Sequence, residues 1–527
     1  MGTSWTITLI LAAALGGADP GPPRAGIFEG PGDLAPQGKI DELVFARLKQ
    51  RGIQPAGLCS DGVFVRRVYL DVIGTLPTAE EARQFLQDRD PNKRRVLIDR
   101  LLGQRVFGDY RALKWSDLLR VKGEFPINLW PNAAQAYHRW IVTSLRENKP
   151  YDQFVRELLT SSGSNFRVPP VNFYRAMQSK DPATTARTVA LTFMGERAQN
   201  WPKERLAGMA VFFSQIGYKP TKEWKEEIVF FDLAKAVAPP ADGAAPAAVF
   251  PDGKPARLSP DKDPRVVFAD WLIAPDNPWF ARNIVNRTWY WLLGRGIIHE
   301  PDDGRPDNPP SNPELLAWLA QELVAAKYDL KHIYRVILNS NTYQLSAIPP
   351  KSHPEGAAQF AYYPLRRLEA EVLIDAVCEI TGTGEKYSSE TPEPFTFIPE
   401  GRRTIALADG SVTSPFLEMF GRPPRDTGLE AERSNRPSPA QRLHILNSSH
   451  IQRKIRQGPK LQRLLQASGG SQEIAEELYL TILSRFPTQE ELKTFAEYAQ
   501  SGIAPGREAL LDLAWALMNS VEFLYRH

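Results

Sequence analysis

Two stretches of the chain concentrate side chains that chemistry can use. The first, residues 301–313 (PDDGRPDNPPSNP), gathers Asp302, Asp303, Arg305, Asp307 and Asn308. Oxygen ligands at such short spacing can hold Ca²⁺, for which Asp302, Asp303 and Asp307 are the candidate ligands. The Asp-x-Asp-x-Asp-Gly order and the distal Glu of an EF-hand are missing. Asp and Asn side chains that satisfy turn N–H groups account for the same residue types, so a polar turn is the preferred reading. Asp302 and Asp307 are also the candidate proton-transfer carboxylates. The adjacent Asp302 and Asp303 make a poor acid–base pair, because neighbouring side chains point apart and such a pair must converge.

The second stretch, residues 421–436 (GRPPRDTGLEAERSNR), holds Arg422, Arg425, Arg433 and Arg436 among Asp426, Glu430 and Glu432. A planar guanidinium grips a carboxylate or sulfate with two hydrogen bonds. Arg422, Arg425 and Arg433 are therefore the candidate binding residues for an anion such as an acidic glycan. The interleaved acids favour the other reading, an internal network that pins the loop to the body. His444 and His450 stand six positions apart, off the i, i+4 spacing that puts two ligands on one helical face. Trp279, Trp289, Trp291 and Trp318 lie in helical or pre-helical contexts. Exposed indoles could stack on sugar rings, but at helical spacing the core is the default.

Composition narrows the classes. With 43% hydrophobic and 24% charged residues the chain has material for more than one core. The net charge of +3 is spread without a basic stripe, which argues against nucleic acid. No Gly-rich phosphate loop follows a strand and no Gly-x-Ser-x-Gly elbow occurs. Two cysteines, Cys59 and Cys378, can make at most one disulfide, and two lone thiols are the plainer expectation. Residues 5–15 (WTITLILAAAL) have the length of a signal-peptide apolar region, followed by small residues and cleavage before Asp19. Residues 1–18 are thus expected to be an export signal and the chain periplasmic or extracellular. No later run reaches the roughly 18 apolar residues of a membrane span.

The elements that must position these residues are helical. Ile40, Leu43, Val44 and Leu48 recur at a helical period, and further helices are expected at 93–102, 110–119, 133–147 and 151–160. Asn312 followed by Pro313 reads as a cap and first turn. Strand-like alternation is scarce, with one short β element expected near 248–258. The fold class expected is mostly α, two helical domains joined by Pro-rich irregular segments with minor β. The divisions are a flexible leader over 19–38, a first domain over 39–236, a linker over 237–264 and a second domain over 265–527. One echo recurs near the two ends: YLDVIGTLPTAEE from Tyr69 and YLTILSRFPTQEE from Tyr479. Each reads as a helix, a Pro turn and a capped helix.

The segments FVRRVYLDVIGTLPTAEEARQFL and FGDYRALKWSDLLRV resemble the first of a tandem pair of planctomycete and verrucomicrobial domains of unknown function, named in part for a cytochrome-like motif. ADWLIAPDNPWFARNIVNRTWYWLLGRGIIHEPDDG and FGRPPRDTGLEAERSNRPSPAQRLHILNS resemble its companion. The resemblance implies a Cys-x-x-Cys-His after Phe-x-Gly, where this chain reads TFMGERAQNWPKERLAGMAVFF. A c-type haem needs two thioethers beside an axial His, so no haem and no other cofactor is expected. The function these observations favour is an exported, non-catalytic binding or scaffold protein. Its expected partner is an acidic polysaccharide or a cell-surface protein. The alternative is a hydrolase or lyase on an anionic polysaccharide, with Arg422 and Arg425 on substrate and Asp302 or Asp307 moving the proton.

Overall fold

A computed structural model describes residues 25–32, 34–235, 247–398, 400–466, 470–504 and 506–527. The export signal expected at 1–18 lies outside the described residues. Helix takes 53% of the chain and strand 5%, so the mostly α class read from periodicity holds. The helices at Lys93–Gly103, Arg105–Leu118, Pro131–Arg146 and Tyr151–Thr160 fall where the apolar period places them. Local chemistry sets several starts. The Asn312 side chain accepts the Leu315 N–H at 3.0 Å, with Pro313 in the first turn. Thr78 and Glu81 close a capping box, as do Thr488 and Glu491.

The strands are few. β1 (Gly163–Ser164), β2 (Ile216–Pro220) and β3 (Glu227–Phe231) form an antiparallel sheet in the order β1-β3-β2. β4 (Arg366–Arg367) pairs with β5 (Tyr525–Arg526). Near 248–258 the chain makes an isolated bridge between Val249 and Pro255.

Buried side chains fall into two large cores. The first runs from Ile40 to Tyr363 and so draws on residues either side of 237–264. The second runs from Leu368 to Phe523 and takes in Leu70, Leu76, Tyr110 and Leu113 from the N-terminal part. The echoed hairpins meet each other: Leu480 is buried against Ala79 and Ala82, and Arg83 pairs with Glu477. Their first helices stop alike, at Gly74 (φ 64°) and at the equivalent Ser484 (φ 60°).

Buried charge joins the cores. Asp71, fully buried, accepts hydrogen bonds from the hydroxyls of Tyr343 (2.9 Å) and Tyr363 (2.8 Å) and pairs with Arg526 at 3.1 Å. Arg526 also reaches Glu369 at 2.8 Å. Arg66 donates to the carbonyls of Ile482 and Phe523, both at 2.8 Å. The described part of the leader is held on the body. Ser60 N–H donates to the Phe28 carbonyl, and the Asn341 amide to that of Ala35. Cys59 is buried, Cys378 half-buried, and both are free thiols. No helix among the described residues is long and apolar enough to cross a membrane.

Candidate functional site

The helix Phe280–Leu293 forms the floor of a cleft of about 930 Å³. One wall is the segment Met194–Arg205 and the other the loop Pro301–Pro310. The floor stitches the walls in place through two buried amides. Asn283 donates to the Thr192 carbonyl (3.0 Å), and Asn286 donates to the Ile298 carbonyl and accepts its N–H (3.1 and 3.0 Å). Gly195 sits where the walls meet, at φ 70°. A Cβ there would lie 2.6 Å from Asn283 Oδ1, and the Gly195 carbonyl accepts the Gly304 N–H at 2.8 Å. The position needs both a left-handed backbone and close approach, which glycine alone supplies without strain. The preceding turn, Ala190–Met194, is π-helical, a widening often found beside functional sites.

The cleft's carboxylates are engaged. Glu196 accepts the indole N–H groups of Trp201 (2.7 Å) and Trp279 and pairs with Arg205 at 3.5 Å. The Arg205 guanidinium lies 3.7 Å from the Trp201 ring centroid. Asp303 and Asp307 flank Arg305, at 2.9 and 3.3 Å. Two guanidiniums are left over. Arg197 and Arg282, both half-buried, have no ion-pair partner among the described residues, and the buried Arg197 Nε has no hydrogen-bond partner. The site therefore offers two free cations and two indole rings inside a rim stiffened by Pro202, Pro278, Pro301, Pro306, Pro309 and Pro310.

The candidate residues read from the sequence separate. Asp303 and Asp307 line this cleft; Asp302 turns away from it. Asp302 is fully buried, pairs with Arg287 at 2.8 Å and accepts the Glu430 N–H at 2.6 Å. Glu430 shares the same Arg287 at 3.2 Å. Burial pushes the Glu430 carboxyl up, Arg287 opposes this, and neighbouring Asp302 adds to the rise. With Asp302 facing inward and Asp307 72% exposed on Arg305, the three aspartates do not converge as a Ca²⁺ site would require. Among the described residues no group of three His, Cys, Asp or Glu side chains could hold a metal ion.

The arginine turn also faces inward. Arg425 is fully buried and donates to Asp117 at 2.9 Å and to the Ala408 carbonyl at 2.8 Å. Arg433 bridges Asp117 (2.7 Å) and Glu371 (2.6 Å). Arg422 is 3.5 Å from Glu371 and donates to the Asp409 and Val412 carbonyls. Burial lowers the Arg422 guanidinium to about 10, with Arg425 beside it adding to the fall. Burial alone would raise the Glu371 carboxyl, but Arg433 and Arg422 outweigh it and hold the group at about 2. These arginines are committed to protein carboxylates and carbonyls, the internal network that the interleaved acids favour.

His444 and His450 do meet. Ser448 ends the helix Pro439–Asn447 and caps the next, Ser449–Gln457, so the six-residue spacing spans a bend. Their ring nitrogens lie 3.3 Å apart, and His450 reaches Glu385 at 2.9 Å. Trp289 and Trp291 are core; Trp279 is in the cleft. Sequence reasoning missed Arg197, Arg282 and Trp201. The only signal for Arg197 and Trp201 was that they fall in the segment where the resemblance implies a haem motif; Arg282, in the helix Phe280–Leu293, carried none.

Two family models match the chain. A protein of unknown function named PSCyt2 (DUF1549) covers residues 39–208, and one named PSD1 (DUF1553) covers 264–499. The cleft takes one wall from the first segment and its floor and second wall from the other. No curated protein and no solved structure matches.

Proposed function

We propose, for a chain that belongs to the tandem DUF1549–DUF1553 proteins of unknown function, that it is an exported, non-catalytic binding protein whose cleft takes a segment of an acidic polysaccharide. The observation that carries this reading is the pair of uncompensated guanidiniums, Arg197 and Arg282, in a cleft that also holds Trp201 and Trp279. A half-buried cation without a protein partner has a strong electrostatic demand for an anion, and a guanidinium meets sulfate or carboxylate with two hydrogen bonds. Indoles add broad apolar faces for the sugar ring. The volume of about 930 Å³ falls in the range of ligand sites.

Catalysis has less support. A glycosidase sets two carboxylates across the scissile bond with their proton affinities driven apart. Here Glu196 is held by two indoles and Arg205, Asp303 and Asp307 share Arg305, and Asp302 points into the protein.

The test is the thermal stability of the chain with chondroitin sulfate, polygalacturonate and neutral dextran. A ligand bound only by the folded state adds about 2.7 kcal/mol at a hundred times its Kd. The expected result is a rise in Tm with an acidic polymer, lost with added salt and in Arg197→Ala/Arg282→Ala. No rise with either acidic polymer, or a rise that survives the double substitution, overturns the reading.

A further inference from the structure

Beneath the second wall of the cleft, one guanidinium serves two carboxylates. Arg287, on the floor helix Phe280–Leu293, offers Nη2 to Asp302 at 2.8 Å and Nη1 to Glu430 at 3.2 Å. The three side chains are 1%, 0% and 9% exposed in that order. Asp302 Oδ2 accepts the Glu430 N–H at 2.6 Å. The buried Asp302 Oδ1 has no hydrogen-bond donor among the described residues beyond its ion pair. Glu430 Oε1 also accepts the Trp291 indole N–H at 2.8 Å. Two negative charges thus face one positive charge away from solvent, an excess that burial makes costly.

The neighbours do not cancel the excess. Lys114, from the helix Arg105–Leu118, also acts on Glu430, but its ammonium is paired with Glu369. Tyr290, Tyr334 and Tyr151 face the cluster from the floor helix and from the helices Leu330–Leu338 and Tyr151–Thr160. Burial raises all three phenols, so they stay neutral. Burial also raises the Glu430 carboxyl; Arg287 opposes this and Asp302 adds to it. Carboxylates that share a site resist ionising together, and a proton held between them belongs to the pair. The cluster is also a joint of the cleft. Asp302 lies between Pro301 and Asp303, both in the second wall. Arg287 donates to the Leu191 carbonyl at 2.9 Å, in the π-helical turn that leads into the first wall.

We propose that Asp302 and Glu430 share one proton, and that this proton sets how firmly the second wall is held. With the proton bound the cluster is neutral, and Asp302 keeps both Arg287 and the Glu430 N–H. Once it is released to solvent, two carboxylates compete for one guanidinium. Their repulsion acts on Asp302, which is part of the loop Pro301–Pro310. A carboxyl raised by folding stabilises fully below its unfolded value, 4.5 for Glu430, and that contribution is lost as pH rises through the folded value. The wall is therefore firm in mild acid and loosens as the pair ionises. One consequence rests on the reading of the cleft as a site for an acidic polysaccharide. Ionisation puts a negative charge behind the wall, so the proton and an anionic ligand favour each other's binding.

The experiment is hydrogen–deuterium exchange of the whole chain without ligand, from about pH 5 to about pH 8. It is read at the Gly304 amide, which closes on Gly195, and at the Glu430 amide, which closes on Asp302. After correction for the base-catalysed rise common to all amides, opening at both should increase with pH by about fivefold or more. Glu430→Gln keeps an acceptor for Trp291 without the charge, and Asp302→Asn removes the other carboxylate. Each should leave opening the same at both ends of the range. Opening in the native chain that does not change with pH, or a response that persists in both variants, overturns the inference. A second arm separates it from the cleft reading. Chondroitin sulfate should bind about fivefold or more tightly at pH 5.5 than at pH 7.5, and Glu430→Gln should bind it equally at the two. Binding without that difference overturns the coupling of wall to ligand. A wall that responds in exchange while no polymer binds at either pH upholds the shared proton and overturns the cleft reading alone.

Discussion

Arg433 is the residue on which the buried network turns, since among the described residues it alone pairs with both Asp117 and Glu371. Removing one partner of a buried ion pair strands the other's charge, at about 3–5 kcal/mol. Arg433→Ala should therefore lower stability to chemical denaturation by that order, and Arg433→Lys should recover only part, because one ammonium cannot reproduce two forks. Glu371 gives the loss a pH signature. Its folded value near 2 lies below its ordinary 4.5, so its stabilisation is in place above about 4.5 and disappears as pH falls toward 2. His138 acts higher. Burial, with Arg425, Arg402 and Arg146 nearby, lowers it from 6.5 to about 3. The unfolded chain takes a proton below 6.5 that the folded chain refuses, so stability is full above 6.5 and falls toward pH 3. The slope is at most about 1.4 kcal/mol per pH unit. A melting series from pH 7.5 to 4.5 should flatten in His138→Phe, with His444 and His527, lowered in the same direction, carrying the remainder. The sequence made the chemistry of Arg422, Arg425 and Arg433 readable, because acids interleaved with arginines imply internal pairing. It could not reveal Arg197 and Arg282, whose significance is the absence of a partner, and that is a property of three-dimensional neighbours.

Helices were readable where their causes are local. The apolar period and the caps at Thr78, Asn312 and Thr488 act within a few residues, and those helices stand where these signals put them. The β2–β3 pair was missed because its strands join through six residues, 221–226, with no two-residue Asn-Gly or Gly-x turn to announce them. The meeting of His444 and His450 was hidden for a similar reason: one serine that ends one helix and starts another changes what a spacing of six means. Gly195 is the element-level control of the cleft. Gly195→Ala sets a Cβ against Asn283 at a left-handed φ, and should cost about 1–3 kcal/mol. The same substitution should shrink the Tm response to an acidic polysaccharide, because it wedges the two walls apart. Melting curves with and without the polymer measure both effects; an unchanged response with lowered stability would separate the wall joint from the ligand.

The molecule as a whole is organised by cores that do not follow the two family segments. The first core continues from Ile40 to Tyr363, past the Pro-rich stretch, and the second borrows Leu70, Leu76, Tyr110 and Leu113. Composition marked that stretch, but which side each helix buries its apolar face against depends on long-range contacts that no local pattern records. Residues 39–236 expressed alone should expose the faces that normally meet Phe280, Trp289 and Leu316, and should show no cooperative melt by circular dichroism, while the full chain unfolds cooperatively. A sharp transition in the fragment would count against shared cores.

Asp71 binds Tyr343, Tyr363 and Arg526, three residues from the far side of the chain, within one buried carboxylate. In terms of descent, such a knot couples the two segments. A recombination that brought in a foreign companion would have to supply both tyrosines and Arg526 in register, or leave a bare charge in the interior.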